Sequence, residues 1–205
     1  MNAAPASTVA VILAAGGGSR YDGDTHKLLA SLRGPVGEEL PVVVHALRAA
    51  AAAAIGPIVV VTGAAPLDEA VELVRADHPT ADIATVHHPG WRDGQATSLA
   101  AGVRAATDRN ATAIVVGLGD QPGVTADAWR RVAAADSPIA VAAYDGRRGN
   151  PVRLAAEVWP LLPTDGDAGA RVVMRLHPDL VGEVACHGSA FDIDTLEDLA
   201  RWQNS

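Results

Sequence analysis

Four short runs of continuously apolar or β-branched residues stand out along the chain, at 9–14, 58–62, 113–118 and 139–143, each bounded by Gly, Pro or charge. Continuity rather than in-and-out alternation is the mark of strands covered on both faces. Between the runs lie alanine- and leucine-rich stretches with helical caps, at 42–54, 67–76, 97–106 and 126–135. A last helix opens at Thr195, where Asp198 three residues on makes a capping pair. This repeated β-then-α order predicts an α/β fold of three layers, α/β/α, on a mainly parallel, Rossmann-like sheet with right-handed crossovers. Ligands of such sheets sit off the carboxyl ends of the strands. No repeat, linker or low-complexity tail breaks the pattern, so residues 1–205 are expected to form a single domain.

The first apolar run leads into LAAGGGSR, residues 13–20. Glycine after a buried strand lets backbone N–H groups face an anion with no Cβ in the way, so Gly16, Gly17 and Gly18 form a candidate phosphate nest. Arg20 adds a planar fork for phosphate oxygens and Lys27 a compact positive charge at the far end of the loop. No Lys-Ser/Thr pair follows, as GxxxxGK[ST] needs, and Tyr21 stands where GxGxxG needs its last glycine. Taken alone, the run also fits a tight turn that merely leaves a strand.

Two acidic segments lie where a metal could meet those phosphates. Asp120 follows the third apolar run in GLGDQPGVT, and a carboxylate there suits Mg²⁺, which takes few protein oxygens and completes its octahedron with substrate phosphates. Asp192 and Asp194 alternate in DIDTLEDL, so in extended backbone they share a face and can complete a metal site with Asp120. Both acids have plainer readings, Asp120 as a loop-closing residue and Asp194 as the cap of the last helix.

Composition narrows the partners. A net charge of −8 and a pI near 5.2 argue against nucleic acid or an anionic membrane surface as ligand. The single cysteine, Cys186, excludes an internal disulfide and a thiolate metal cage, and is read as a buried, inert thiol. The N-terminal segment has no basic residue before its apolar stretch, so it reads as a first strand and not a secretory signal, and a cytoplasmic location is expected. The apolar stretch 49–65 is broken by Gly56 and Pro57 and is too short to span a membrane. His87 and His88 are adjacent, so on a strand they face opposite ways and make a poor chelating pair with or without His26. The four tryptophans, at 91, 129, 159 and 202, lack regular spacing and are read as packing residues.

Taken together, LAAGGGSR, Lys27, GLGDQP, GRRGNPV (146–152) and DIDTLEDL occur in the order found in the MobA-like NTP transferases. From Val9 to about Leu199 the chain resembles a molybdenum cofactor cytidylyltransferase, and DQP, RRGNP, DGDAGAR (165–171) and DIDT are more similar to the cytidylyl branch than to the guanylyl one. The resemblance implies the nucleotide-diphospho-sugar transferase type of fold and transfer of CMP from CTP to the phosphate of molybdopterin, releasing pyrophosphate, with Mg²⁺ as cofactor. It implies Arg20, Lys27 and Asp120 as catalytic residues, with Asp120, Asp192 and Asp194 around the metal. Leu13, Ala14, Ala15, Gly16, Gly17 and Gly18 would hold the nucleotide. Gly94 and Ser98 in DGQATSLAAGV (93–103) would contact the base, with Gln95 beside them, although alone this segment also reads as a helix start with a solvent-facing serine. Gln121, Arg148 and Asn150 would face the acceptor, and a molybdenum hydroxylase would receive the product.

Two departures mark this chain. Residues 21–26 lengthen the approach to Lys27 and bring in Asp22 and Asp24, and Asn150 stands where the family commonly has histidine, keeping a hydrogen-bonding side chain that does not titrate near neutrality. Two further readings stay open: the same fold acting on another acceptor, by guanylyl transfer or on a sugar phosphate, and a non-catalytic protein that delivers nucleotide or cofactor to a molybdoenzyme.

Overall fold

The structure, a computed structural model, describes residues 7–34 and 37–204; residues 1–6, the first part of the segment weighed as a secretory signal, lie outside the described residues. Strand β1 (Thr8–Ala14) opens the fold, followed by a small antiparallel ribbon of β2 (Ser31–Arg33) and β3 (Glu39–Pro41). Then come α1 (Val42–Ala53), β4 (Ile58–Thr62), α2 (Asp68–Asp77), β5 (Ile83–His87), α3 (Gln95–Thr107) and β6 (Ala113–Leu118). The last third holds α4 (Ala126–Ala133), β7 (Ile139–Tyr144), β8 (Arg147–Ala155), α5 (Ala170–Leu176), β9 (Val181–Ala185) and α6 (Leu196–Gln203).

The main sheet runs β5-β4-β1-β6-β8-β7-β9, and every pairing is parallel except the two made by β8. Successive residues of β1 feed opposite cores: Ala10 and Ile12 pack with Leu47 of α1, Val71 of α2 and Trp129 of α4, while Val9 and Val11 pack with Leu99 and Ala105 of α3 and Val173 of α5. That is the three-layer arrangement. Each fully buried Val, Leu or Ile contributes roughly 1.5–3 kcal/mol of transfer free energy, so the strands read from apolar continuity are also where most of the stability lies. No helix among the described residues is long and apolar enough to cross a membrane.

Three strands of the main sheet lie outside the continuous apolar runs. β5 and β9 are edge strands with alternating exposure, and β8 carries Gly149 and Pro151. Pro151 is tolerated there because the β7–β8 register shifts between Val141 and Ala142, leaving Asn150 and Pro151 out of the ladder as a bulge. Helix α6 is capped as expected: Thr195 Oγ1 accepts from Asp198 N at 3.1 Å and Asp198 Oδ2 accepts from Thr195 N at 3.0 Å. The cap residue is therefore Thr195, which leaves the Asp194 side chain for other work.

Register fixes the site. Leu13 of β1 pairs with Leu118 of β6, and Gly119 N donates to Leu13 O at 3.0 Å. The glycine loop and Asp120 therefore leave the sheet side by side at its carboxyl edge.

Candidate functional site

A cavity of about 800 Å³ opens at that edge. Its wall includes Leu13, Ala14, Ala15, Gly16, Gly17, Gly18, Arg20, Lys27, Gly94, Ser98, Asp120, Asp192 and Asp194, all the residues the sequence suggests for nucleotide, metal and catalysis. Among the described residues the N–H groups of Gly16, Gly17 and Gly18 donate to no protein acceptor, leaving three donors on the cavity wall. Trp91 lies against the loop: a Cβ on Gly17 would come within 2.7 Å of its ring, so the loop stays close only because residue 17 is glycine.

Lys27 stands at the centre. Its Nζ donates to Asp120 Oδ2 at 2.6 Å and to Asp194 Oδ1 at 2.7 Å, and Asp194 Oδ2 receives Arg20 Nη2 at 3.0 Å. Burial pulls the Lys27 ammonium down, but the charges and hydrogen bonds of Asp120 and Asp194 outweigh it and hold the group above its ordinary value. The Arg20 side chain is 75% exposed and that of Lys27 only 11%, so Arg20 is free to swing to a new partner while Lys27 is fixed. Burial, then the Asp120 charge, raise Asp192 above the usual carboxylate range, partly offset by its bond from Gln121.

His26 anchors the lengthened loop. Its Nε2 bonds Gly16 O at 2.9 Å and its Nδ1 accepts from Leu28 N at 3.2 Å, capping the short turn Lys27–Leu29. Gly16 O can only accept and Leu28 N can only donate, so both bonds need the neutral ring protonated on Nε2. Burial first, and the Lys27 charge after it, lower the imidazole, while the Gly16 bond works the other way. Asp22 and Asp24 are exposed and absent from the cavity wall.

The carboxylates fit a hard cation shared with phosphate. Asp120 Oδ1 is buried without a hydrogen-bond partner, a costly state for a carboxylate oxygen unless a ligand meets it. Among the described residues no three Asp, Glu, His or Cys side chains gather closely enough to cage an ion alone. Asp120, Asp192 and Asp194 thus do not form a finished metal site, because Lys27 stands between Asp120 and Asp194. One or two carboxylates completed by phosphate oxygens is the arrangement Mg²⁺ favours.

Elsewhere on the same cavity wall, Ser98 is buried on the first turns of α3, which removes the solvent-facing alternative, and Gln95 lines the cavity with it. Gly94 has φ +108, and a Cβ there would lie 2.4 Å from Gly166 O, so glycine is required twice over. His88 Nε2 lies 2.8 Å from Thr97 Oγ1, and Thr97 Oγ1 donates to Gly94 O at 2.8 Å, tying the first turn of α3 to the end of β5.

A second cavity, about 420 Å³, adjoins the first and shares Leu13, Gln95, Leu118 and Arg171 with it. Arg148 and Asn150 line it, but Gln121 does not. Gln121 is buried behind the wall, where its Nε2 donates to Asp192 Oδ1 at 2.7 Å and to Ala190 O at 3.0 Å, and its Oε1 accepts from Asn150 Nδ2 at 3.1 Å. It links Asn150 to Asp192 and does not itself face an acceptor. Arg148 Nε is paired with Glu183 at 2.7 Å. Cys186 is a free, buried thiol outside both cavities. Trp91 packs against the α3-side core as its spacing suggests, and it also lines the larger cavity with Arg92 stacked over its ring at 4.3 Å.

Residues 10–181 match the MobA-like NTP transferase domain. A curated relative, nicotine blue oxidoreductase from Paenarthrobacter nicotinovorans, is 36% identical over 124 residues, and the match spans 54% of this chain and only 60% of the relative. Rv0371c from Mycobacterium tuberculosis superposes with a TM-score of 0.76 at 27% identity, covering 98% of this chain and 100% of its own. A nucleotidyl transferase from Methanothermobacter thermautotroptrophicus gives 0.73 at 26% identity over 97% and 96% of the two chains. A further crystal of the Mycobacterium tuberculosis protein is a complex with manganese, at TM-score 0.67 and 26% identity over 97% and 99%, in keeping with divalent metal use in this family. A cavity walled by free glycine amides, a lysine held between two aspartates and a match across most of the sequence lead to one assignment: the chain belongs to the MobA-like NTP transferase family, nucleotidyltransferases that bind a nucleoside triphosphate and an acceptor.

Proposed function

We propose that the chain is a cytidylyltransferase that moves CMP from CTP to the terminal phosphate of molybdopterin. The observation that carries this reading is the Lys27 ammonium, fixed at 2.6 and 2.7 Å between Asp120 and Asp194 beside the free amides of the glycine loop. An oxygen of the acceptor phosphate attacks the α-phosphorus of CTP, the bond from that phosphorus to the α–β bridging oxygen breaks, and pyrophosphate leaves in line; no covalent enzyme intermediate is required. Before substrate arrives, the two carboxylates occupy Lys27 and Arg20. Phosphate oxygens are better matched partners for both cations, so nucleotide binding releases the carboxylates. A divalent cation, Mg²⁺ in this reading, would be held by Asp120 with Asp192 or Asp194 and would offset charge on the phosphates. Lys27, Arg20 and the glycine amides stabilise the charge that builds on the leaving group. Gly94 and Ser98 face the base. Arg148 and Asn150 line the adjoining cavity for the acceptor, and a molybdenum hydroxylase is the fitting recipient of the product.

Cytidine is favoured over guanosine by the DQP, RRGNP, DGDAGAR and DIDT segments. A thermal-shift series with CTP, GTP, ATP and UTP in Mg²⁺ tests this, since a ligand stabilises by the logarithm of its saturation. CTP is expected to give the largest shift; equal shifts for all four contradict the cytidylyl assignment.

The relative named an oxidoreductase, together with the apolar second cavity, favours one other reading: reduction of a conjugated acceptor. The glycine loop lacks dinucleotide spacing, which is why transfer is preferred. Oxidation of NADH or NADPH by the purified chain, with no pyrophosphate from any NTP, would reverse that order.

A further inference from the structure

The segment DGDAGAR, residues 165–171, joins the two cavities and has no part in the mechanism above. Gly166 O accepts from Ala96 N at 2.9 Å and Gly166 N donates to Asp93 O at 3.2 Å, so this loop is stitched to the start of α3. Arg171, at the start of α5, lines both cavities, and Arg175 one turn later lines only the second. Among the described residues neither guanidinium has an acceptor or a carboxylate partner. Among the described residues Arg20, Arg48, Arg75, Arg131, Arg148 and Arg201 pair with acids, Arg109, Arg130 and Arg153 bond backbone carbonyls, Arg92 stacks on Trp91, and Arg33, Arg104 and Arg147 stand exposed away from both cavities. Arg171 and Arg175, four residues apart on α5, are therefore the two that bring unpaired charge to a cavity wall, a place for an outside anion in a chain of net charge −8. Behind them the wall is apolar, formed by Val116, Val141, Leu154 and Met174.

We propose that Arg171 is shared by the two substrates, binding the acceptor's anionic end where it meets the nucleotide phosphates, and that Arg175 and the apolar wall select an acceptor with an apolar body and an anionic terminus. The inference takes the existence of a second substrate from the transfer reading. The geometry it adds is its own: a guanidinium at the junction holds the attacking oxygen and the phosphate under attack against one planar donor, which is how a bidentate clamp converts binding into orientation.

The test uses the full chain, 1-naphthyl phosphate as probe and calorimetry, with and without saturating CTP and Mg²⁺. The probe is expected to bind one to one and to remain bound when CTP is present. Arg175→Ala should weaken it about ten-fold, the scale of one lost charge-assisted bond, and leave CTP affinity unchanged. Arg171→Ala should weaken both ligands, and Arg171→Lys should restore part of each affinity. Uncharged 1-naphthol should bind wild type and both alanine variants alike, which separates loss of the anion contact from loss of the fold. Probe affinity unchanged in Arg171→Ala and Arg175→Ala, or displacement of the probe by CTP, overturns the inference. Failure of CTP to bind the wild type contradicts the transfer reading and the sharing of Arg171, whereas arginine-dependent probe binding in that case upholds the anion-and-apolar acceptor site by itself.

Discussion

Lys27 has a role in the free protein and, under the proposed transfer, a second one in turnover, and the two can be separated. In the free protein it neutralises Asp120 and Asp194, so Lys27→Ala leaves two partly buried carboxylates facing each other and should cost roughly 1–3 kcal/mol of stability, visible as a lower Tm. In turnover it is one preorganised donor, and its loss should lower kcat by roughly 10²- to 10³-fold. A variant with a reduced Tm and an unchanged kcat would leave Lys27 a structural role only. His26 makes a second prediction at this scale. The folded protein holds the ring below its unfolded value of 6.5, so well above that value both states are neutral, and the bonds to Gly16 and Leu28 contribute in full. As pH falls through 6.5 the unfolded chain takes up a proton that the folded ring resists, and stability drops until the folded ring protonates too. The Tm difference between wild type and His26→Ala should therefore shrink from pH 7 to pH 5; a constant difference would mean that the ring does not anchor the loop. Lys27, Arg20 and Asp120 were legible in the sequence because motif and strand end coincide. The role of His26 was not, because the added residues 21–26 look like an intrusion until the fold brings Gly16 back over the ring.

At the scale of elements, the strands that apolar continuity identifies are the ones buried on both faces, and two of them, β1 and β6, carry the site at their ends. The strands it misses are half-exposed at the sheet edges or, in β8, carry a Gly and a Pro that only a bulge accommodates. That bulge also sets Asn150 against Gln121, a contact no local pattern encodes. The same holds for Gly94 and Gly166, far apart in sequence and within one atomic contact in space. Gly94→Ala meets both an unfavourable φ and the Gly166 carbonyl, and should lower stability by about 1–3 kcal/mol while weakening nucleotide binding. Thermal unfolding with and without CTP checks both effects; a Tm equal to wild type would show that the loop yields freely.

Over the whole molecule, an acidic chain brings Arg20, Lys27, Arg92, Arg148, Arg171 and Arg175 to the walls of two adjoining cavities. Fold class, and the meeting of the motif residues on one cavity wall, were readable from the order of elements and the motifs. Of the second cavity, the motifs single out Arg148 and Asn150 but not α5 with Arg175, since α5 lies in a stretch without strong periodicity. Chelation of divalent metal should abolish turnover in this account, because the carboxylates alone leave phosphate charge uncompensated. The most direct measurement is single-product analysis: purified chain, CTP, Mg²⁺ and molybdopterin, with pyrophosphate assayed and the acceptor weighed by mass spectrometry. The account predicts one pyrophosphate per acceptor and an acceptor heavier by one cytidylyl group, CMP less one water. An unmodified acceptor with no pyrophosphate, repeated with GTP, ATP and UTP, would contradict it.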